Sequence, residues 1–457
     1  FICRDCAVSA VIAEEALLHA IEPVRAGLAV AGDRFVLIGP SRPGWTGYEA
    51  LVASGDPRAT FATVRPDDVA ALMYTSGTTG KPKGGQRDVG GYSVALATSM
   101  DYIFCGKPGE TYFCTSDIGW VVGHSYIVYG PLIAGMATIL YEGVPVRPDA
   151  SIWWQIVEKH KVSRMFSAPT AVRVLKKHPS ELMRKHDLSS LKALYLAGEP
   201  LDEPTSDWIA GELGVPIIDN YWQTETGWPM LAIQRGVEVM PHKFGSPGVP
   251  SFGYNMKLLD DATSEELGAD QKGVIAIEGP LPPGCMQTVW GDDKRFISTY
   301  WETIPGKLIY STFDWGIKDK DGYFFILGRT DDVINVAGHR LGTREIEESI
   351  SSHPNISEVA VVGVEDKLKG QAAIAFVIPK DVSKAENLEK ECMKTEDAQL
   401  GAIARPSHVY VVSALPKTRS GKIMRRPLRV LAKGEEITQD ISTLENPAIL
   451  EQLKQAI

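Results

Sequence analysis

The chain has 457 residues, 44% of them hydrophobic and 23% charged, which is typical of a globular protein with two or three packed units. A net charge of −10 argues against a protein that coats nucleic acid, and no apolar run reaches the ~18 residues that a membrane helix needs. We therefore expect neither nucleic acid nor a membrane as a partner.

The first residues and the cysteines bear on the completeness of the N-terminal domain and on the cellular compartment of the protein. The chain begins FICRDC, with neither an initiator Met nor a signal-peptide pattern, so we expect the N-terminal domain to be incomplete at its start. Six cysteines fit reduced thiols in the cytoplasm, or in the mitochondrial matrix of a eukaryote. Cys3 and Cys6 form a lone CxxC, better interpreted as ordinary thiols than as half of a zinc site.

Short apolar segments bounded by Gly or Pro predict buried strands in the first half of the chain. These segments are residues 34–39, 71–77, 137–143, 163–169, 193–200 and 215–221. Helical patterns such as IWWQIVEKHK and TAVRVLKKH stand between them. The alternation predicts an α/β architecture with parallel strand pairing.

The second half of the chain has a different pattern. From about residue 245, short strands broken by GSPGVPSFG and GPLPPG predict an antiparallel or barrel-like part. A helix over 343–353, strands over 359–366 and 372–379, a charged helix over 384–398 and a strand from 408 follow. We expect an N-terminal domain over residues 1–330 and a separate C-terminal domain over residues 331–457.

The segment YTSGTTGKPKG, residues 74–84, follows a predicted strand and offers backbone N–H groups, hydroxyls and lysines, which suit the oxygens of a phosphate chain. It is not the usual nucleotide P-loop, because it lacks that glycine spacing and because Pro82 forbids a helix interior there. A Gly/Ser/Thr run alone is equally well explained as a flexible surface loop. The length and order of this segment are more specific.

YTSGTTGKPKG resembles the phosphate-loop signature of the acyl-adenylate-forming superfamily, and other family motifs follow in order. They are AGEP (197–200), DNYWQTETG (219–227), STFDWG (311–316), GRTDDVINVAGHRLGTREIE (328–347) and PKTRSGKIMRR (416–426). From about residue 60 to 430 the chain looks most like the short-chain, acetyl- and propionyl-CoA synthetases, with the propionyl branch favoured. The resemblance implies an adenylate-forming α/β fold: a large N-terminal domain with α/β layers and a barrel-like part, plus a small mobile α+β C-terminal domain.

The resemblance also implies a reaction. A carboxylate and ATP, with Mg²⁺, would give an acyl-adenylate and pyrophosphate, and the acyl group would then pass to coenzyme A. Propionate is the expected acid, with acetate and 3-hydroxypropionate as alternatives. A non-catalytic nucleotide-binding module is the alternative of a different class.

Residues are assigned to ATP by the same resemblance. We expect Thr75, Ser76, Gly77, Thr78, Thr79, Gly80 and Lys83 at the β- and γ-phosphates, Gly198, Glu199, Pro200 and Asp219 at the adenine, Gln223 and Thr224 at the α-phosphate, and Asp314, Arg329 and Arg340 at the ribose and phosphates. Asp314 suits two ribose hydroxyls as a carboxylate acceptor, although Phe313 stands where the family usually has Gly. For a single arginine, surface ion pairing is the plainer alternative.

Three residues are expected to act in catalysis, namely Glu225, Thr224 and Lys422. Glu225 alone would be interpreted as an exposed loop acid, but within WQTETG it is the expected Mg²⁺ ligand, since an ion that bridges phosphates needs few carboxylates. Lys422 is expected to offset the charges of the carboxylate and the α-phosphate in the transition state, with a solvated basic surface as the alternative. Regulatory acylation of Lys422 is expected to remove that charge.

Two residues are expected to serve the second half-reaction. Asp331 stands at the position of a hinge that absorbs a rotation of the C-terminal domain, with a simple turn as the alternative. Gly338 is expected beside the pantetheine of coenzyme A, where a missing side chain allows close approach.

The acyl pocket is expected to be small. Trp222 would close its far end, and Trp120, Val121 and Val122 would form a wall. Ala197 stands where acetyl-CoA synthetases usually have Val, which makes room for another methylene worth ~0.8 kcal/mol on burial. We expect propionate to be preferred and acetate accepted, unless Ala197 merely fills a different core. His124 is interpreted as a packing or orienting residue, because a carboxylate needs no base near pH 7.

Overall fold

The computed structural model describes residues 1–75, 82–199, 203–304, 306–337, 339–417, 423–437, 441 and 444–457, without the side chains of residues 203, 331 and 340. The described residues form two compact units, 1–91 with 286–293 and 92–285 with 294–457. The domain boundary that we expect near residue 331 lies inside the second unit and stays a prediction. In the described part of the chain, no helix has the length and apolar character needed to cross a membrane.

The first unit is built on small sheets. Its strands in chain order are β1 (Val11–Glu14), β2 (Phe35–Ile38), β3 (Thr46–Gly47), β4 (Val69–Thr75) and β5 (Lys83–Asp88), and the helices of this part of the chain are α1 (Ile2–Asp5), α2 (Leu18–Arg25), α3 (Tyr48–Ser54) and α4 (Val89–Tyr102), of which α4 continues into the second unit. The strands β1, β2 and β3 pair in parallel, whereas β4 and β5 form an antiparallel pair.

The strand predicted at 71–77 is present as β4, but the expectation that it pairs in parallel is wrong. Residues 76–82 connect β4 to its antiparallel neighbour β5. A parallel return would need a crossover of a dozen or more residues, and this connection is too short for one.

The second unit contains a mixed sheet with a parallel centre. Its strands are β6 (Thr111–Cys114), β7 (Ala137–Ile139), β8 (Val162–Ser167), β9 (Ala193–Leu196), β10 (Ile217–Tyr221), β11 (Leu231–Ala232) and β12 (Val249–Pro250), and its helices are α5 (Val121–Gly123), α6 (Gly130–Ile133), α7 (Ile152–His160), α8 (Pro169–Lys176), α9 (Glu181–Arg184) and α10 (Glu203–Leu213), with a π-helical stretch His124–Tyr129 between α5 and α6. The order is β12-β11-β10-β9-β8-β6-β7, parallel from β7 to β10 and antiparallel beyond. The predicted α/β architecture is confirmed.

Alternate residues of this sheet enter two different cores, as the period of a strand requires. Tyr195 in β9 joins the cluster under α4 and the helix over 121–133, while its neighbours Leu194 and Leu196 join the cluster under α7, α8 and α10. Because both faces are covered, β8 and β9 are buried along their whole length. The strand ends are therefore the places where polar side chains can reach a ligand.

The predicted antiparallel part is also confirmed. Its elements are β13 (Asn255–Leu259), β14 (Lys272–Glu278), β15 (Thr288–Val289), β16 (Ile309–Lys318), β17 (Phe324–Arg329) and α11 (Asp293–Tyr300). The sheet order is β13-β14-β16-β17. β15 belongs to the first unit, where it pairs with β5. A bulge in β16 opposite Ile275 and Ala276 contains Phe313, whose φ is +59°.

The C-terminal part has a sheet with helices on both faces. Its elements are β18 (Ile334–Val336), β19 (His339–Leu341), β20 (Ile356–Asp366), β21 (Gly370–Pro379), β22 (His408–Val411), α12 (Thr343–Ser351), α13 (Leu388–Gln399), α14 (Arg425–Ala432) and α15 (Ile449–Ala456). The order is β19-β18-β21-β20, with β22 beside β21. Helices α12 and α13 pack on one apolar cluster and α14 and α15 on another, so the α+β expectation is confirmed.

Candidate active site

A buried carboxylate with several donors forms the centre of the site in the second unit. Asp314 in β16 is 7% exposed. The Tyr221 hydroxyl and the Gln223 amide both donate to its Oδ2, the amide at 2.5 Å. Arg329 Nη1 lies 3.7 Å from its Oδ1. These groups offset the cost of burying a negative charge and fix the direction of the carboxylate.

Tyr221 remains a donor over the physiological pH range. Burial and the adjacent Asp314 carboxylate raise the pKa of the Tyr221 phenol well above its usual value. Gln223 Nε2 also donates to the carbonyl of Thr312 at 2.6 Å. The expected role of Gln223 at the α-phosphate stays a prediction, because in this structure its amide is engaged at Asp314.

The loop after β10 is held in a compact turn. The Thr226 hydroxyl accepts from the backbone N–H of Gln223 at 3.1 Å, and the N–H of Gly227 donates to the Gln223 carbonyl at 3.1 Å. Ser125 anchors the far end by donating to the Gly227 carbonyl at 2.8 Å. Thr224 and Glu225, both half-buried, lie between these anchors.

Glu225 has a specific partner outside its own loop. The hydroxyl of Tyr300, the last residue of α11, donates to Glu225 Oε1 at 2.8 Å. A half-buried carboxylate is a hard oxygen donor and fits Mg²⁺, which in nucleotide sites is held by one or two carboxylates and the substrate phosphates. Among the described residues, no group of three or more His, Cys, Asp or Glu could hold a metal.

Several of the expected acyl-pocket residues come together. Ala197, Val122 and Trp222 belong to or pack against the same apolar cluster, and the Trp222 ring meets Tyr126 edge-on at 5.4 Å. Val121 is buried at the start of α5, and Trp120, directly before it, is 39% exposed.

His124 packs near the ring of Tyr129, with a centroid distance of 6.1 Å. This contact agrees with its interpretation as a packing residue.

The residues expected at the adenine follow β9 and end β10. Gly198 has a φ of +102°, which favours glycine, and Glu199 accepts hydrogen bonds from the Thr170 hydroxyl and, at 2.9 Å, from Arg173. Pro200 lies outside the described residues. Burial raises the pKa of Asp219 to about 7 against the opposing effects of Arg344 and the Asn220 N–H.

The ends of the expected phosphate loop lie in the first unit. Thr75 ends β4 and is paired with Lys83, which begins β5. The Thr75 hydroxyl is buried and, among the described residues, has no hydrogen-bond partner. The other expected loop residues lie outside the described residues; they are Ser76, Gly77, Thr78, Thr79 and Gly80.

The structure describes only some of the C-terminal residues that were predicted to belong to the site. Lys422 and Gly338 lie outside the described residues. Lys417 and Ile423, on either side of the segment that contains Lys422, are antiparallel bridge partners. Asp331 lies in the 3₁₀ turn Thr330–Asp332 that connects β17 to β18.

Arg340 belongs to β19, where it pairs with Asn335. Its side chain is outside the description, so its contact with a phosphate stays a prediction.

Sequence reasoning missed Tyr221 and Tyr300, the hydroxyl donors to the two key carboxylates. Tyr221 lies inside DNYWQTETG and could have been found by asking which side chains of that motif share a strand face. Tyr300 is separated from Glu225 by 75 residues and carries no motif of its own, so only the tertiary structure reveals the contact.

Comparison with known proteins supplies the family. A family model described as AMP-binding enzyme matches residues 1–290, and one described as AMP-binding enzyme C-terminal domain matches residues 345–422. The chain is 62% identical over 406 residues to the propionate–CoA ligase of Escherichia coli K12, which covers 88% of this chain and 64% of that protein. It is 44% identical over 399 residues to the acetyl-coenzyme A synthetase of Wolinella succinogenes, which covers 85% of this chain and 60% of that protein.

A solved structure agrees with these matches. The crystal structure of the anthranilate CoA ligase AuaEII in complex with anthranoyl-AMP has a TM-score of 0.82 and 26% identity, and the match covers 94% of this chain and 80% of that one. The chain spans less than two thirds of the length of the propionate–CoA ligase and the acetyl-coenzyme A synthetase above. With a family model that covers most of its length, the chain belongs to the AMP-binding enzyme family.

Proposed function

We propose that the protein is an ATP-dependent ligase that converts propionate, ATP and coenzyme A into propionyl-CoA, AMP and pyrophosphate. The observation that carries this choice is the 62% identity to a propionate–CoA ligase, against 44% to an acetyl-coenzyme A synthetase over a similar span. Acetate and 3-hydroxypropionate are the nearest alternative acids.

The first half-reaction joins the acid to AMP. A propionate oxygen attacks the α-phosphorus of ATP, and the bond to pyrophosphate breaks. Asp314, oriented by Tyr221 and Gln223, receives the ribose hydroxyls, and Arg329 contributes positive charge beside it. Lys422 stabilises the charge that develops between the two anionic reactants.

The residues from Thr75 to Lys83 bind the β- and γ-phosphates, Thr224 binds the α-phosphate, and Arg340 binds the ribose and phosphate. When bound, Mg²⁺ lowers the charge of the phosphate chain. Glu225 holds that ion. The backbone of Gly198 to Pro200 and the carboxyl of Asp219 face the adenine.

The acyl pocket selects a short acid. Trp222 blocks longer chains at the end of the apolar cluster, and Ala197 leaves space for one more carbon than a Val would. Discrimination of one methylene is limited to about 1–3 kcal/mol, so acetate is accepted at a lower efficiency.

The second half-reaction transfers the acyl group. The thiolate of coenzyme A attacks the carbonyl carbon of propionyl-AMP, and AMP leaves with the bridging oxygen. The C-terminal domain, residues 331–457, rotates about Asp331 between the steps, and Gly338 lies beside the pantetheine. Acylation of Lys422 switches off the first step, and the reaction takes place in the cytoplasm.

The test is a set of acids offered to the full-length protein. We expect propionate-dependent pyrophosphate release with Mg·ATP, and a higher kcat/KM for propionate than for acetate, 3-hydroxypropionate or butyrate. A preference for another acid would replace propionate in the proposal. Nucleotide binding without pyrophosphate release from any acid would favour a non-catalytic binding module.

A further inference from the structure

We propose that Tyr300 is a positioning residue that aims the carboxylate of Glu225 at the metal ion and thereby sets the metal affinity of the nucleotide complex. This inference rests on the proposed function, because it takes Glu225 as the Mg²⁺ ligand. Its starting observation is the hydrogen bond of 2.8 Å from the Tyr300 hydroxyl to Glu225 Oε1.

The Tyr300 ring is held on several sides by aromatic neighbours. We call Phe296, Tyr300, Tyr310 and Phe313 the aromatic cluster. The ring of Tyr300 is stacked on Tyr310 at 5.1 Å with an interplanar angle of 3°, and it contacts Phe296 at 5.8 Å and Phe313 at 5.9 Å. Tyr300 is only 2% exposed, so its ring and hydroxyl oxygen are held in place by their surroundings.

A fixed donor matters because Glu225 is a long, rotatable side chain on a loop. The loop backbone is held by Thr226 and by Ser125, and neither of these hydrogen bonds orients the Glu225 carboxylate. Holding Oε1 removes rotational freedom before the ion arrives, so less conformational entropy is lost on binding. Partners that orient a metal ligand typically change metal affinity by 10- to 100-fold.

The aromatic cluster also connects this carboxylate to the ribose-binding one. Phe313 lies directly before Asp314, and its ring is 5.6 Å from the guanidinium of Arg329. Through Phe313, Tyr300 is therefore packed beside Asp314 and Arg329, which are proposed to bind the ribose. A shift of Tyr300 would move the carboxylate of Glu225 through their hydrogen bond. It would also move Asp314 through the ring of Phe313, the residue that precedes Asp314 in the chain.

The chain offers a matched control in Tyr310. Its ring is stacked on that of Tyr300, it is 1% exposed, and no described residue makes a hydrogen bond with its buried hydroxyl. Tyr300→Phe and Tyr310→Phe each remove one hydroxyl from the same stack. Only the first removes a hydrogen bond to Glu225.

The experiment measures metal binding without turnover in the full-length protein. Mn²⁺ is titrated, with free Mn²⁺ followed by electron paramagnetic resonance, in the presence of an ATP analogue with a methylene bridge between the α- and β-phosphates. We expect Tyr300→Phe to raise the Mn²⁺ dissociation constant about tenfold, in line with the loss of an orienting partner, and Tyr310→Phe to change it less than twofold. In turnover assays, Tyr300→Phe should raise the KM for Mg²⁺ while excess Mg²⁺ restores kcat.

Three other results are possible and each has a distinct meaning. Equal effects of the two variants would overturn the proposal, because they would indicate a general packing defect. No effect of either variant would also overturn it. Failure of the unmodified protein to bind the analogue and Mn²⁺ would contradict the proposed function itself, and the inference with it.

A Glu225→Gln background gives an independent check. If Tyr300 acts through Glu225, then Tyr300→Phe should add less than twofold to the Mn²⁺ dissociation constant of that variant. A full tenfold additional effect would mean that Tyr300 acts by another route, and the proposal would be wrong.

Discussion

Phe313 adopts a backbone conformation that non-glycine residues rarely take. Its φ of +59° lies in the left-handed region, at the bulge that turns Asp314 toward Tyr221 and Gln223. The presence of Phe at a position where the family usually has Gly thus has a structural consequence. The phenylalanine accepts backbone strain, and its ring contacts with Tyr300 and Arg329 offset part of that cost.

A pair of substitutions at this position tests the strain. Phe313→Ala and Phe313→Gly both delete the ring, but only Gly relieves the left-handed backbone, so we expect Gly to be the more stable by about 1 kcal/mol. In an ordinary strand the order would be reversed, since Gly there is about 0.5–1 kcal/mol worse than Ala. Urea unfolding of the two variants measures the difference. Equal stability, or a more stable Ala variant, would mean that the backbone at 313 is not strained.

Ala197 is the residue on which the choice of acid depends most. It is 6% exposed in the apolar cluster that Trp222 packs against. We predict that Ala197→Val lowers the ratio of kcat/KM for propionate to that for acetate by about tenfold, because two added methyl groups fill the space of one substrate methylene. An equal fall for both acids would identify Ala197 as core packing only.

At the scale of elements, the buried parallel strands were predictable because each is an apolar run that ends at Gly, Pro or a polar motif. Residues 163–169 and 193–200 were predicted as strands and contain most of β8 and the whole of β9. β6 was not predicted, because its four residues Thr111–Cys114 form too short a run to give a clear apolar or alternating pattern. The hairpin of β4 and β5 was also missed. The pattern of apolar residues along a strand shows that a strand is present, but it does not show which other strand pairs with it.

The packing of α12 against α13 contains a buried acid that predicts a pH dependence. Glu396 is fully buried, neither of its oxygens reaches a hydrogen-bond partner among the described residues, and burial raises its pKa to about 7 against a partial opposing effect of Ser349. In the unfolded chain this carboxyl titrates near pH 4.3. The folded state therefore binds the proton more tightly, and stability falls as the pH rises from the unfolded pKa to the folded one.

We predict that Glu396→Gln stabilises the protein at pH 8 by about 2–3 kcal/mol and has a much smaller effect at pH 4.5, where the folded acid is neutral and the unfolded acid is only about half ionised. Urea unfolding at several pH values, followed by a probe in the C-terminal part, measures this. Glu389→Gln, on the exposed side of the same helix, is the control and should leave the profile unchanged. A variant that is equally stable or less stable at pH 8 would show that Glu396 is paired when ionised.

In the second unit, the C-terminal part of the chain makes ion pairs with both the α/β part and the antiparallel part. Lys177 lies 3.5 Å from Glu358, and Lys272 pairs with Glu345 at 2.5 Å. Lys177 is about half exposed, and exposed pairs of this kind are typically worth 0–1 kcal/mol. They are weak enough to break and re-form, which suits a domain that is proposed to rotate.

Because Lys422 is proposed to act in only one half-reaction, its substitution should affect the two half-reactions differently. Lys422→Gln should reduce propionyl-AMP formation by about 100-fold or more, on the scale of ~3 kcal/mol for one preorganised donor. Conversion of supplied propionyl-AMP to propionyl-CoA should fall much less, because Lys422 is proposed to act in the first step alone. Rapid-quench assays of each half-reaction separate the two, with Lys433→Gln in the same domain as the control. Equal losses in both steps would remove Lys422 from its proposed role.

The motifs of the nucleotide site could be predicted from the sequence. The residues from outside those motifs that hydrogen-bond to their carboxylates could not. DNYWQTETG and STFDWG are local strings, and their polar residues meet at Asp314 in the structure. Tyr300 and Arg173, which hold Glu225 and Glu199, come from distant helices whose sequences show only ordinary amphipathic patterns. Contacts of that kind depend on the packing of whole elements, which one sequence does not specify.

In the proposed reaction a carboxylate oxygen attacks the α-phosphorus of ATP, and an isotope label can follow that oxygen into the products. Propionate labelled with oxygen-18 in its carboxylate is converted by the full-length protein with Mg·ATP and coenzyme A, and the products are analysed by mass spectrometry. We predict a single labelled oxygen in AMP, the other in propionyl-CoA, and none in pyrophosphate. Label in a phosphate released from the β- or γ-position, or AMP without label, would rule out attack of the carboxylate on the α-phosphorus.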